Sequence, residues 1–115
     1  MKSGINYEQG EILLVPFPFS DLSSIKQRPV LVLSKKQDNL ECEDIITCGI
    51  TSNLKDERHS VLIENSNLIQ GQIPAKSRIK VDKLFTLSKD IIRKKISRIN
   101  KETFEKVKKE FCSLV

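Results

Sequence analysis

A chain of 115 residues has room for one domain (1–115) with a single core, since a chain of this size buries roughly 60–70% of its unfolded surface on folding. With 38% apolar residues and no tryptophan, the core is expected to be small and the polar surface large, and dimerisation is one way to complete it. The charge is divided: residues 76–110 carry thirteen Lys and Arg against five Asp and Glu, a net of +8, and the rest of the chain a net of −3. A basic half suits a polyanion or an acidic protein partner, and equally a solvated helix face.

The three cysteines (Cys42, Cys48, Cys112) are odd in number and lack metal-ligand spacing, so they are expected as reduced thiols, with Cys48 in the core. His59 is the only histidine. A two-histidine ribonuclease within one chain is therefore excluded, a zinc site lacks ligands, and His59 is expected to be structural or exposed. No metal and no cofactor are expected. Residues 1–9 are polar and no apolar run approaches the ~20 residues of a membrane span, so no membrane partner is expected and the cytoplasm is the expected compartment.

In chain order, residues 10–16 predict a strand ended by Pro16 and Pro18, which cannot donate to a ladder. Residues 19–27 read as a loop, 29–34 as a buried strand and 35–43 as a charged turn. The β-branched run 44–51 predicts a central strand. A loop over 52–57 leads to alternation around Val61 and Ile63, a half-buried strand within 58–64. Residues 70–74 read as a turn, and 77–81 alternate again with Ile79 and Val81 on one face. Ser88 with Asp90 suits a short helical turn, and 96–99 a last strand. The clearest helix runs from about Lys101 to Phe111: Asn100 is its N-cap, Glu102 lies in its first turn, and Phe104, Val107 and Phe111 form one apolar face. Short strands with a closing helix point to a mainly β, small barrel-like fold.

Four segments recur in a recognisable order: Gly10, Glu11 and Ile12 leading to Pro16–Phe19; Lys26, Gln27, Arg28 and Pro29 opening the apolar run to Ser34; Ile50, Thr51 and Ser52; and Val81, Asp82 and Lys83 leading to Leu87. In order and spacing, from Gly10 to the C-terminal helix, the chain resembles the MazF/PemK toxins, the ribonuclease halves of bacterial toxin–antitoxin pairs. The resemblance implies an SH3-like small barrel closed by a C-terminal helix and assembled as a two-fold homodimer. It also implies metal-independent cutting of single-stranded RNA, in which the 2′-hydroxyl attacks its own phosphorus to leave a 2′,3′-cyclic phosphate and a 5′-hydroxyl. The implied partners are an antitoxin with an acidic, disordered tail and, with it, operator DNA.

Carried over residue by residue, Arg28 matches the family's catalytic arginine; its planar fork suits two phosphate oxygens. Thr51 matches the active-site threonine, with Ser52 as a second donor. Lys26 and Gln27 are expected to reach RNA from the loop before Arg28, or to be solvated there. Ser20 and Asp21 are placed to touch a base or the arginine. Phe17 and Phe19 suit base stacking or the core. Lys80 stands where relatives of the Kid type have an arginine, so it keeps the charge without the bidentate fork. Asp82 matches a functional aspartate of those relatives, or caps a turn. The loop from Ser20 to Gln27 has neither the glycines nor the glutamate common in relatives, so base contacts and cleavage sequence do not carry over. The same fold serves the gyrase poison CcdB, so a non-catalytic nucleic-acid binder or topoisomerase poison is the alternative, and a bland SH3-like interaction module a third reading. The coexistence of Arg28 with Thr51 favours the ribonuclease.

Overall fold

The computed structural model describes residues 6–18 and 25–115; Phe19, Ser20, Asp21 and the side chain of Phe17 lie outside the described residues. The described elements are β1 (Glu11–Pro18), β2 (Ile25–Val32), α1 (Lys36–Glu41), β3 (Asp44–Thr51), β4 (Ser60–Ile63), β5 (Leu68–Gly71), β6 (Ser77–Ser88), β7 (Lys94–Ile99) and α2 (Lys101–Cys112). The strands form one antiparallel sheet in the order β4-β6-β3-β2-β1-β7-β5. It curls into a half-barrel with α2 packed against β4 and β6.

The curl produces a core on each face of the sheet. Ile12, Leu31, Cys48, Ile50, Ile79 and Val81 point into the larger core, which α2 closes with Val107. Leu13, Val15, Val30, Val32, Ile45 and Leu87 point into the smaller one. Residues 12–15 of β1 and 30–32 of β2 thus serve cores on both faces, which is why these stretches read as continuous apolar runs. Val107 is fully buried, and Phe104 and Phe111 pack partly buried beside the same core, as their spacing predicts. Burying a valine of this kind stabilises the fold by about 1.5–3 kcal/mol. The Asn100 side chain accepts a hydrogen bond from the Thr103 N–H at 2.8 Å, capping α2. Among the described residues, no helix is long and apolar enough to cross a membrane.

Several expected boundaries move, each because a distant strand supplies what the local sequence lacks. Strand β1 continues through Pro16 and Pro18, since β7 pairs only with Glu11–Leu14 and leaves the later residues paired on one side only. Their partners are Gln27 and Ile25, so Lys26 and Gln27 lie on β2 rather than in a loop. Gln70 and Gly71 belong to β5 rather than a turn, paired with Arg98 and Ser97 of β7. Strand β6 runs on from 81 to Ser88, and β7 begins at Lys94. The turn at Ser88 and Asp90 is as expected, with the Ser88 side chain accepting from the Asp90 N–H.

The charged segment 35–43 contains α1 rather than a turn, and Asn39 is the reason. Its side chain is buried and its amide donates to the carbonyls of Tyr7 (2.8 Å) and Ser34 (2.9 Å), while the Ser34 hydroxyl donates back to its Oδ1. One polar side chain thereby ties α1 to the segment before β1 and the end of β2. Asn39→Ala leaves these groups unpaired and should cost about 1–3 kcal/mol. Urea unfolding should show a lower midpoint at unchanged slope; an unchanged midpoint would contradict this role.

Candidate active site

The site begins with a mismatch between β3 and β6. Cys48 pairs with Leu84, but the next residue, Gly49, pairs with Lys80, so Val81, Asp82 and Lys83 have no partner on β3. Such an insertion bends its strand and redirects side chains, and it is common beside active sites. Beside this bend lies a cleft of about 320 Å³. Its floor includes Gly49, where a Cβ would make ordinary contact with the Phe85 ring (3.5 Å) and the Lys83 Cβ (3.7 Å). Glycine leaves that space open without strain.

Three elements bring charge and hydroxyl groups to this cleft. Arg28 and Pro29 come from β2, Ile50 and Thr51 from β3, and Lys80, Lys83 and Phe85 from β6. The β2–β3 pairing runs from Val32 and Thr47 to Val30 and Gly49. Two further steps in the same register set Arg28 level with Thr51. Pro29 has no N–H with which to continue the ladder, so the strands part there. Arg28 is exposed, and Thr51 half-buried. The Thr51 Oγ1 accepts a hydrogen bond from the Asn53 N–H at 3.1 Å, which orients the hydroxyl and leaves its proton for donation.

The loop after Thr51 folds over the cleft, contributing Asn53 and Glu57. Asn53 Oδ1 accepts from the Lys55 N–H at 3.1 Å, a side-chain turn that starts the fold-over. Arg78, opposite Thr51 on β6, holds the loop down. Its guanidinium donates to the Leu54 carbonyl and the Ser60 hydroxyl, both at 3.1 Å, and pairs with Asp56 at 3.4 Å. Beside it, Lys80 has a side chain only 12% exposed and pairs with Glu57 at 3.0 Å. A cation so far removed from water needs such a partner. The hydrogen bond and charge of Lys80, aided by Lys55 and Lys83, hold the Glu57 carboxyl below the usual carboxylate range.

A second cleft, of about 340 Å³, adjoins the first and shares Arg28, Pro29 and Ile50 with it. Lys26, Gln27 and Ser52 line it, facing Pro74, Ala75 and Ser77. The structure thus brings Arg28, Thr51 and Lys80 together in one cleft, and Lys26, Gln27 and Ser52 together in the next, with Arg28 between. Asp82 lines neither: it sits exposed within β6, where it caps no turn. Glu57, Asn53, Lys83 and Phe85 are cleft residues that sequence reasoning missed. The cluster Lys55, Asp56, Glu57 and Arg58 was a visible signal only of a charged loop.

His59 lies at the far end of this loop with φ of 58°, its Nδ1 3.4 Å from both Glu110 Oε1 on the last turn of α2 and Ser113 Oγ just beyond it. It ties the loop to the helix, the structural role expected. Among the described residues no group of three or more His, Cys, Asp and Glu could hold a metal ion.

A family model for the PemK-like, MazF-like toxins of type II toxin–antitoxin systems matches residues 8–115. The chain belongs to that family. No curated protein sequence matches it significantly. Among solved structures, the toxin is similar to an endoribonuclease in complex with its cognate antitoxin from a mycobacterial species. There the identity is 18%, the match covers 93% of this chain and 92% of that one, and the TM-score is 0.74. It is also similar to a chain of MazE–MazF from Deinococcus radiodurans, at 18% identity, 94% of each chain and a TM-score of 0.77. Mycobacterium tuberculosis toxin MazF-mt6 matches at 14% identity over 88% of this chain and 93% of that one, with a TM-score of 0.66. At such identities the likeness is one of fold.

In the toxin, Cys48 is fully buried, and burial, with a smaller effect of the Asp82 carboxylate, pushes its thiol up to about 12. Cys42 and Cys112 are exposed. A thiol reagent at neutral pH should therefore modify Cys42 and Cys112 in the folded toxin and reach Cys48 only in denaturant, because the thiolate is the reactive form. Equal rates at all three cysteines would show that the core is not closed as described.

Proposed function

We propose that the toxin is an endoribonuclease that cuts single-stranded RNA by attack of the 2′-hydroxyl on the adjacent phosphorus. The observation that carries this reading is the convergence of Arg28, Thr51 and Lys80 on one cleft. In-line attack places an extra negative charge on the non-bridging phosphate oxygens, and fixed donors aimed there lower the barrier. Arg28 offers a planar pair of N–H groups, Thr51 an oriented O–H, and Lys80 a positive charge. The new bond joins the 2′-oxygen to phosphorus and the bond to the 5′-oxygen breaks. The 2′-proton leaves to an acceptor in the cleft, and the departing 5′-oxygen takes a proton from water. The products are a 2′,3′-cyclic phosphate and a 5′-hydroxyl. Metal independence is part of the proposal, because these three side chains supply the charge stabilisation that a metal would otherwise bring.

The adjoining cleft extends the RNA path past Arg28, with Lys26 toward a phosphate and Gln27 and Ser52 toward a base edge or ribose. Family membership supports an antitoxin partner. We read that partner as an acidic, disordered tail that orders on the basic surface and blocks the cleft. A homodimer, operator DNA binding with the antitoxin, and action in the cytoplasm complete the proposal.

The test is cleavage of a long single-stranded RNA by antitoxin-free protein with chelator present. Wild type should leave 5′-hydroxyl ends. Thr51→Ala should lose about 10²–10³ in rate, the usual cost of one oxyanion donor, and Arg28→Ala more. Arg28→Lys should not restore activity, because lysine lacks the fork. Arg28 is exposed, so these variants should fold. A folded, fully active Arg28→Ala would overturn the mechanism, and folded wild type that cuts nothing across varied sequences would favour the non-catalytic binder.

A further inference from the structure

Attack by the 2′-hydroxyl needs a group that accepts its proton. Among the described residues, those lining the cleft include one carboxylate, Glu57, and no histidine. His59, two residues on, faces Glu110 and Ser113 instead. Resting on the ribonuclease reading, we propose that Glu57 is the proton acceptor of the cleavage step, released for that task when the substrate phosphate takes Lys80 from it.

Geometry carries the first half of the proposal. Glu57 Oε2 lies 3.0 Å from Lys80 Nζ. A phosphate oxygen held by the same ammonium sits about 2.7–2.9 Å from it on another side. As the ammonium turns to the phosphate, the released carboxylate stays on its fastened loop beside that phosphate, and the ribose 2′-oxygen, poised beside phosphorus, falls within its reach. Glu57 stands on a loop that Arg78 fastens through Leu54, Asp56 and Ser60, and its own carbonyl accepts from the Ser60 hydroxyl at 2.6 Å. The backbone that presents the carboxylate is therefore positioned before substrate arrives.

Electrostatics carries the second half. Among the described residues, the charged groups that act on Glu57 in the free protein are cations, Lys80 and Lys83 from β6 and Lys55 from its own loop, and Arg28 lines the same cleft from β2. They keep it ionised but a poor base. An entering phosphodiester brings a negative charge and competes for Lys80 and Arg28. Both effects raise the affinity of Glu57 for a proton, so the base strengthens when substrate is in place. In the step itself, Glu57 takes the 2′-proton as the oxygen bonds to phosphorus. It then gives that proton to solvent after the 5′-oxygen has left with a proton from water.

The experiment uses the full chain and a short RNA spanning a cut site mapped in the long substrate. Single-turnover rates are measured across pH for wild type, Glu57→Gln and Glu57→Asp. Affinity is measured with the same RNA carrying a 2′-O-methyl group at the cut, and thermal unfolding checks the fold. Glu57→Gln should lower the rate about 10²–10⁴-fold while binding the blocked RNA at least as tightly as wild type, because the competitor for Lys80 is gone. Wild type should lose activity toward acid, with the limb for kcat at higher pH than that for kcat/KM. Glu57→Gln should lose that limb, and Glu57→Asp should recover part of the rate. A folded Glu57→Gln that cuts at the wild-type rate with an unchanged pH profile overturns the proposal. So does one whose only defect is weaker binding. Wild type that cuts no RNA fails the ribonuclease reading itself, a result distinct from either of these.

Discussion

The unmatched residues Val81, Asp82 and Lys83 of β6 are the constraint on which the rest of the site depends. Side chains alternate with period two, so an insertion of odd length moves a strand's inward row to the other face. Ile79 and Val81 point into the larger core, whereas Phe85 and Leu87, of the same parity, pack against the smaller one. Strand β6 thereby serves both cores, and at the crossing its hydrogen-bonded contact with β3 is interrupted. That interruption, beside a glycine on β3 and a proline on β2, is where the first cleft lies, and the second adjoins it through Arg28, Pro29 and Ile50. A flat continuation of the sheet would fill the space with paired backbone.

The cations at the crossing are organised in two layers. Arg78 is spent on the loop: a carbonyl, a hydroxyl and Asp56 occupy its guanidinium, and its side chain is only 14% exposed. Lys80, two residues on and equally sheltered, answers a single carboxylate among the described residues. An anion entering the cleft can exchange for that carboxylate without leaving a buried charge unpaired. Arg28 stands on the outer side, exposed and shared by both clefts. In the proposed reading the inner lysine and the outer arginine make a graded path for a phosphate backbone, and the low local dielectric around Lys80 strengthens whatever ion it pairs with.

How much of this was legible depended on how local the cause was. Strand β3 matched 44–51 because its β-branched run is central and needs no help, and α2 announced itself through Asn100 and the Phe104, Val107 and Phe111 stripe. Arg28 and Thr51 were singled out by the family's motifs, and the β2–β3 register sets them level beside one cleft. Lys26 and Gln27 looked like loop because nothing local shows that β1 would run on through two prolines to pair with them. Helix α1 was hidden because its stability rests on one asparagine reaching Tyr7, 32 residues away in sequence. Glu57 and Phe85 were out of reach for a similar reason. One arrives through a loop fastened by Arg78, and the other stands inside the motif 81–87, which gives no sign that the bend turns it into the cleft.

The central claim is that one phosphate of the substrate lies between Arg28 and Lys80, over Thr51. The most direct measurement is a crystal structure of the toxin with a single-stranded RNA blocked by a 2′-O-methyl group at the mapped cut. The account predicts the blocked phosphate within hydrogen-bond distance of the Arg28 guanidinium, the Thr51 hydroxyl and Lys80 Nζ, with the Lys80–Glu57 pair opened and the neighbouring nucleotide in the cleft lined by Gln27 and Ser52. RNA bound across another face, with that pair closed and the clefts filled by solvent, would contradict it.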